Sequence, residues 1–277
     1  MTRARVRTEK APGGASTLLA AAILVAGCAA LRPATAPIAT IERRVGGGDG
    51  GSVLLVLFHG RGDGAKKFFD EGFDRVAAQS GRRFDLVSVE AHLGYYVRGQ
   101  LEIRIGADVL GPARARGYEK IWLVGTSMGG LGALACAQRH PEAVDGVILL
   151  APYLGSRRIL EYVEKGTPLV GKLEGEDRRT KEMWDWILQT PAAKRQTVLV
   201  GVGDRDTFLS ADRLLGSFQP PGQFETTPGG HDWNTWKLLF RWALAHPKGP
   251  VASASREATS SVPVLAPRRD VQESPRR

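Results

Sequence analysis

The sequence predicts an α/β protein built on a mostly parallel sheet of about six strands, with helices on both faces. Three observations support this. Apolar strand-like runs alternate with helical patterns from residue 52 to residue 245, which is the order expected of a parallel sheet. The first run, SVLLVLF at 52–58, is apolar throughout, as is typical of a strand buried on both faces. The 277 residues, 43% hydrophobic and 24% charged, fit one globular domain with a full core.

The strands and helices follow one another at regular spacing. The expected strands are 52–58, 84–90, 119–124, 144–152, 196–203 and 222–227. The expected helices are 65–81, 100–116, 129–139, 210–216 and 233–245. The stretch 155–191 interrupts the alternation after the fourth strand, so it is a candidate for a small cap.

The N-terminus has the pattern of a targeting signal. Residues 1–16 carry four basic side chains and one acidic one, and TLLAAAILVAG at 17–27 is uncharged. Eleven apolar residues are too few to span a bilayer, which takes about 20. VAGC, ending at Cys28, resembles the lipobox of bacterial lipoproteins. An ordinary signal peptide with a chance cysteine is the alternative.

The lipobox resemblance implies cleavage after a signal peptide at 1–27 and lipidation of Cys28. Residues 28–50 would then form a lipidated tether ahead of a domain at 51–246. The protein would be anchored in the bacterial cell envelope. The outer membrane is slightly favoured because no aspartate follows the cysteine.

The net charge of +9 gives little support for a nucleic-acid partner. Much of it comes from the two ends, and residues 28–246 carry only +3. No basic helix or basic patch with interleaved aromatics is present. Residues 247–277, rich in Ser, Pro and Ala, predict a disordered tail.

The candidate nucleophile lies where the strand at 119–124 ends. Gly-Thr-Ser-Met-Gly at 125–129 joins that strand to a helix of small residues. A serine at such a corner, with glycine two residues before and after it, matches the nucleophile elbow. The motif alone is weak, because turns also tolerate serine. Its strand–turn–helix setting favours Ser127 as a nucleophile.

From these residues onward the sequence resembles the α/β-hydrolase fold, over roughly residues 50–246. That fold places an acid after a later strand and a histidine after the last one. The resemblance implies His231, in PGGHDW, as the general base. Two acids follow the strand at 196–203. Asp206 is favoured over Asp204 because the apolar residues Phe208 and Leu209 and then a helix follow it.

The resemblance also implies an oxyanion hole. FHGRGDG, after the first strand, is similar to the loop of carboxylesterase-like and thioesterase-like members. The expected donors are the backbone N–H groups of Met128 and Arg61. His92, Tyr95 and Tyr96, in AHLGYY after the second strand, are candidates for lining the substrate pocket. No metal-binding motif occurs, so no metal or other cofactor is expected.

The sequence therefore predicts a serine hydrolase that cleaves a carboxylic ester or thioester of a small-molecule or lipid-like acyl substrate. Two alternatives remain open. An acyltransferase or amidase would use the same three residues with a different acyl acceptor or bond. A catalytically silent hydrolase fold would act as an envelope binding protein. The sequence does not decide acyl-chain length, leaving group or oligomeric state.

Overall fold

The computed structural model describes residues 32–46 and 53–250, and within these ranges the chain forms a single seven-stranded sheet. The strands are β1 (Thr40–Val45), β2 (Val53–Phe58), β3 (Phe84–Val89), β4 (Lys120–Thr126), β5 (Gly146–Leu150), β6 (Thr197–Gly203) and β7 (Phe224–Thr227). Their order is β1-β3-β2-β4-β5-β6-β7. β1 runs antiparallel to β3, and all other neighbouring pairs are parallel.

Helices connect the parallel strands. They are α1 (Lys67–Asp70), α2 (Phe73–Ala78), α3 (Leu93–Val97), α4 (Leu101–Ile105), α5 (Gly111–Ala115), α6 (Met128–Arg139), α7 (Arg157–Lys165), α8 (Gly175–Gln189), α9 (Leu209–Ser217) and α10 (Trp233–Ala245). A π-helical turn at Gly106–Leu110 joins α4 to α5. The single helix expected over 65–81 is two helices, because Gly72 adopts a φ of 82° between them.

The sheet is packed on both faces, as the apolar strands predict. Leu54, Val56 and Phe58 of β2 join a core layer that includes residues of α4, α6 and α8. Leu55 and Leu57 belong to the opposite layer, with residues of α1, α2 and α10. Each fully buried side chain of this size contributes about 2 kcal/mol of hydrophobic stabilisation. This packing fixes the strand ends that carry the candidate site.

The predicted tether at 28–50 is wrong for its described part. Thr40–Val45 form an edge strand, and Ile38 is only 3% exposed. The six-strand prediction therefore missed one strand. β1 reads TIERRV and has one buried residue, Val45, so its sequence lacks the apolar character that marked the central strands. Residues 28–31 and 47–50, including Cys28, lie outside the described residues.

The candidate cap at 155–191 consists of α7 and α8. Trp184 of α8 is fully buried, and its indole N–H donates to the Leu154 carbonyl at 2.9 Å. α8 packs against α6, so its central part belongs to the core of the domain rather than to a separate lid. The first turn of α8 instead reaches the carboxyl edge of the sheet, where the candidate site lies. Residues 251–277 of the predicted tail lie outside the described residues.

Candidate active site

Ser127 lies at a strained corner between β4 and α6. Its φ of 51° and ψ of −122° form a conformation that L residues rarely adopt, at a cost of about 1–3 kcal/mol. The corner is held from two sides. The Ser127 N–H donates to the Leu150 carbonyl at 3.1 Å, and the Ser127 carbonyl accepts from the Tyr153 N–H at 2.9 Å. Both partners belong to β5 or the loop after it.

Glycines are needed around this corner because the backbones approach too closely for side chains. A Cβ atom on Gly129 would lie 2.0 Å from the Phe58 carbonyl oxygen. One on Gly125 would lie 2.4 Å from the Gly129 carbonyl oxygen. Gly60, in the loop after β2, would place its Cβ 3.3 Å from the Ser127 Cβ. The motif therefore packs α6 tightly against the end of β2 and brings the loop after β2 beside the serine.

His231 follows β7 and faces Ser127. Its Nε2 lies 3.0 Å from the Ser127 Oγ. The next residue, Asp232, caps α10 by accepting from the N–H groups of Asn234 and Thr235, which fixes the loop that carries the histidine. The His231 ring packs edge-on against Trp236, with ring centroids 5.0 Å apart.

Of the two acids considered, Asp206 is the one in contact with the histidine. Its Oδ2 lies 2.9 Å from the His231 Nδ1, and its side chain is 0% exposed. The Asp206 Oδ1 also accepts the Phe208 N–H at 2.8 Å. Asp204 points elsewhere, since its Oδ1 accepts the Gly229 N–H at 2.9 Å. It thereby ties the loop carrying His231 to the end of β6.

One further carboxyl group, which the sequence does not reveal, lies near this set. Asp212, in α9, is 0% exposed, and among the described residues neither of its oxygens has a hydrogen-bond partner. Burial, with a smaller contribution from the negative charge of Asp206, raises the pKa of Asp212 well above its ordinary value. In its helical setting of SADRLL nothing distinguishes it from a solvent-facing residue.

The two expected oxyanion donors lie on opposite sides of Ser127 in the chain. Met128 is the first residue of α6, so its N–H has no acceptor within the helix. Arg61 follows Gly60, the residue that approaches the Ser127 Cβ. No acceptor for the Arg61 N–H is present among the described residues. Both donors are thus available at the corner.

The rim of the site is formed by residues from three further segments. The Arg61 Nη2 lies 2.5 Å from the Glu176 Oε1 in the first turn of α8. The Tyr153 ring, after β5, packs at a tilt against Phe208, with ring centroids 5.9 Å apart. The Phe208 ring in turn packs edge-on against the His231 ring, with centroids 4.9 Å apart. Burial, followed by the negative charges of Glu176 and Asp177, raises the pKa of Tyr153.

The three residues predicted to line the substrate pocket lie on or beside α3 and are all largely buried. His92 caps the helix, its Nδ1 accepting the Gly94 N–H at 3.2 Å. The Tyr95 hydroxyl bonds to Thr35 instead, 3.0 Å from its Oγ1. Tyr96 extends beneath the corner, where its hydroxyl donates to the Met128 carbonyl at 3.4 Å.

A cavity of about 240 Å³ lies beside these residues. Its lining includes Tyr96 and Val97 of α3 together with Gly175 and Glu176 at the start of α8. Of the three predicted pocket residues, Tyr96 is the one in its lining. Within the described ranges, no helix is long and apolar enough to cross a bilayer, and no three His, Cys, Asp or Glu side chains group as metal ligands would.

Comparisons with known proteins found one matching family. A family model named Esterase, described as "Putative esterase", matches residues 112–246. This span runs from α5 to the end of α10 and contains Ser127, Asp206 and His231. No curated protein matches the chain significantly.

Solved structures share the fold at low sequence identity. FphF, a fluorophosphonate-binding serine hydrolase of Staphylococcus aureus, is 15% identical with a TM-score of 0.51, over 76% of this chain and 98% of its own. A ferulic acid esterase is 17% identical with a TM-score of 0.53, over 75% and 96%. Est1E from Butyrivibrio proteoclasticus is 15% identical with a TM-score of 0.54, over 75% and 91%.

The chain has the α/β-hydrolase fold, and its residues 112–246 are similar to the Esterase family. The family match begins after the loop that follows β2, so it does not include Arg61 or α3. The rim of the site is therefore described by the structure alone.

Proposed function

We propose that the chain hydrolyses carboxylic esters or thioesters through an acyl-Ser127 intermediate. One observation carries the proposal: the continuous contact from the Ser127 Oγ through both nitrogens of His231 to the Asp206 carboxylate, at 3.0 and 2.9 Å. The three residues come from the carboxyl ends of different strands, where open α/β sheets build their sites. A nucleophile, a base and an orienting acid in hydrogen-bond reach are the requirement for acyl transfer.

In the first half of the reaction, the Ser127 Oγ attacks the acyl carbon while the His231 Nε2 accepts its proton. The resulting tetrahedral oxyanion accepts hydrogen bonds from the Met128 and Arg61 N–H groups. The bond to the leaving alcohol or thiol then breaks, and His231 returns the proton to the leaving atom. The acyl group remains esterified to Ser127.

In the second half, water replaces the alcohol. His231 accepts a proton from the water as its oxygen attacks the acyl carbon, and returns the proton to the Ser127 Oγ when the acyl–serine bond breaks. Asp206 accepts the Nδ1–H hydrogen bond throughout. Its burial strengthens the attraction to the imidazolium that forms transiently, because the local dielectric is low.

The direct test is hydrolysis of an ester panel by the full chain. The panel contains p-nitrophenyl esters of increasing acyl length, matching thioesters and an anilide. We expect ester or thioester turnover by the wild type and a loss of at least about 10³-fold in Ser127→Ala. Ser210→Ala removes an exposed serine of α9 and serves as the matched control. A folded wild type that hydrolyses only the anilide, or none of the panel, would contradict the proposal.

We further propose that Cys28 is lipidated, on the strength of the sequence motif ahead of the domain. The Arg32 carbonyl already accepts a hydrogen bond from the Arg98 side chain at 3.0 Å, so three residues separate Cys28 from the domain. At no more than about 3.5 Å per residue, such a spacer would hold the domain close to the bilayer. Cys28→Ala should abolish labelling by an alkyne fatty acid in cells, and undiminished labelling would refute the anchor.

A further inference from the structure

One side chain of α8 bridges the two loops that flank Ser127. The Glu176 carboxylate bonds to the guanidinium of Arg61, at 2.5 Å. Arg61 lies in the loop after β2, 115 positions away in the chain. The same loop supplies the Arg61 N–H to the proposed oxyanion hole. Glu176 thus contacts the side chain of the residue whose backbone N–H is proposed to bind the oxyanion.

On the other side, Glu176 lies against Tyr153. The negative charge of Glu176 is, after burial, the largest influence that raises the pKa of Tyr153. The Tyr153 N–H in turn donates to the Ser127 carbonyl at 2.9 Å. The loops after β2 and β5 therefore both lie next to the Glu176 carboxylate.

The backbone that carries Glu176 is firmly fixed. Thr180, one turn further along α8, is 0% exposed, and its Oγ1 donates to the Glu176 carbonyl at 2.8 Å. Gly155, after β5, adopts a φ of 116°, and a Cβ there would lie 3.0 Å from the Thr180 Oγ1. The first turn of α8 is therefore packed on the loop after β5. A fixed backbone makes the Glu176 carboxylate a defined point of attachment for Arg61.

We propose that Glu176 is a positioning residue, which holds the Arg61 loop so that its N–H points at the oxyanion formed on Ser127. This inference rests on the proposed function. The side chains of Arg61 and Glu176 are 52% and 35% exposed, and ion pairs this exposed contribute little to stability. Small errors in the placement of a catalytic group, by contrast, cost up to about 10² in rate. The Arg61–Glu176 ion pair therefore contributes more to the placement of the Arg61 loop than to the stability of the fold.

The inference predicts a selective loss of kcat. Glu176→Ala should lower kcat about tenfold, less than the 10²–10³ expected when an oxyanion donor is removed outright. KM and the unfolding temperature should change little. Glu176→Gln keeps the length of the side chain and its hydrogen-bonding capacity but loses the charge. Its kcat should therefore lie between those of Glu176→Ala and the wild type. The control is Glu182→Gln, since Glu182 is on the same helix, 63% exposed, and paired with Arg178.

A double-mutant cycle with Arg61→Ala provides the decisive comparison, because this variant keeps the Arg61 N–H while releasing its side chain. If Glu176 acts through Arg61, the double variant should be no slower than either single variant. Additive losses, a wild-type kcat in Glu176→Ala, or an equal loss in the Glu182 control would overturn the inference while leaving the proposed function standing. A folded wild type that neither turns over esters nor reacts with a fluorophosphonate would overturn the proposed function, and this inference with it.

Discussion

The floor and the rim of the site are held in place by different kinds of interaction. The floor, defined as Ser127, His231 and Asp206, stands on the ends of the strands, and its acid is 0% exposed. The rim, defined as Arg61, Tyr153 and Glu176, lies on loops and a helix start, and its ion pair is about half exposed. Glycine packing and hydrogen bonds to a buried carboxylate hold the floor, whereas solvent-exposed charges hold the rim.

This difference predicts two kinds of response. Substitutions in the floor should cause large losses that salt does not alter, because buried interactions are little screened. Substitutions in the rim should cause moderate losses, and salt should weaken its contacts. The predictions below test this contrast, in order of decreasing expected effect.

The largest contrast is between the two acids of the loop after β6. Asp206→Asn should lower kcat by about 10³–10⁴, because the histidine then loses its negatively charged partner and its preferred tautomer. Asp204→Asn should retain most activity and cost about 1 kcal/mol of unfolding free energy, since it weakens the bond to the Gly229 N–H. Steady-state kinetics and urea unfolding of both variants measure these effects. Equal kinetic losses would remove the distinction between the acids.

Gly129→Ala tests the packing beneath the floor. The added Cβ would lie 2.0 Å from the Phe58 carbonyl oxygen, so the start of α6 must shift away from β2. We expect a loss of about 3 kcal/mol in unfolding free energy. Gly111→Ala is the control, because its Cβ would have no contact closer than 3.3 Å. It should change the free energy of unfolding by no more than about 1 kcal/mol in either direction. Similar unfolding free energies for the two variants would contradict the packing argument.

Asp212 makes the stability of the fold depend on pH. Its raised pKa keeps it protonated in the folded protein, whereas the unfolded chain loses that proton above about pH 4. The contribution of Asp212 to the free energy of unfolding is therefore complete below about pH 4. It falls as pH rises toward the folded-state pKa, by at most about 1.4 kcal/mol per pH unit.

Asp212→Asn has no carboxyl proton to lose when the chain unfolds. The stability of the variant relative to the wild type should therefore increase between pH 4 and pH 7, as measured by urea unfolding at each pH. Asp70→Asn, at an exposed carboxylate paired with Lys66, provides the control. A difference between Asp212→Asn and the wild type that stays constant across this range would show that Asp212 is ionised in the folded protein.

The smallest effect concerns the rim. Salt screens an exposed ion pair, so the kcat of the wild type should fall about two- to threefold between 50 mM and 1 M NaCl. Arg61→Ala, which has no such pair, should show no corresponding fall. Initial rates at saturating substrate across the salt series measure this. A parallel decline in both proteins would assign the salt effect to another part of the molecule.

The same contrast explains what the sequence could predict. Ser127 was identifiable because glycines at fixed offsets and an apolar strand encode the corner locally. The order of the fold then led to His231 and to the two acids after β6, and the apolar residues and helix that follow Asp206 favoured it over Asp204. The bridge from Arg61 to Glu176 spans 115 positions, and no local pattern encodes it. Asp212 has the polarity of a surface residue, and its burial depends on how α9 packs.

Strand β1 shows the same limit at the level of the fold. Its hydrogen bonds to β3 define it, while its side chains are mostly exposed. Hydropathy alone therefore assigned it to the tether. The central strands were predictable because both of their faces are buried, and an edge strand with polar side chains was not.

The proposed function depends above all on Ser127 being the nucleophile. The most direct measurement is the intact mass of the full chain after reaction with a fluorophosphonate, followed by peptide mapping. We predict one adduct per chain, located on Ser127, absent in Ser127→Ala and formed much more slowly in Asp206→Asn. A folded wild type that gains no adduct, or a Ser127→Ala variant that gains the same adduct, would contradict the claim.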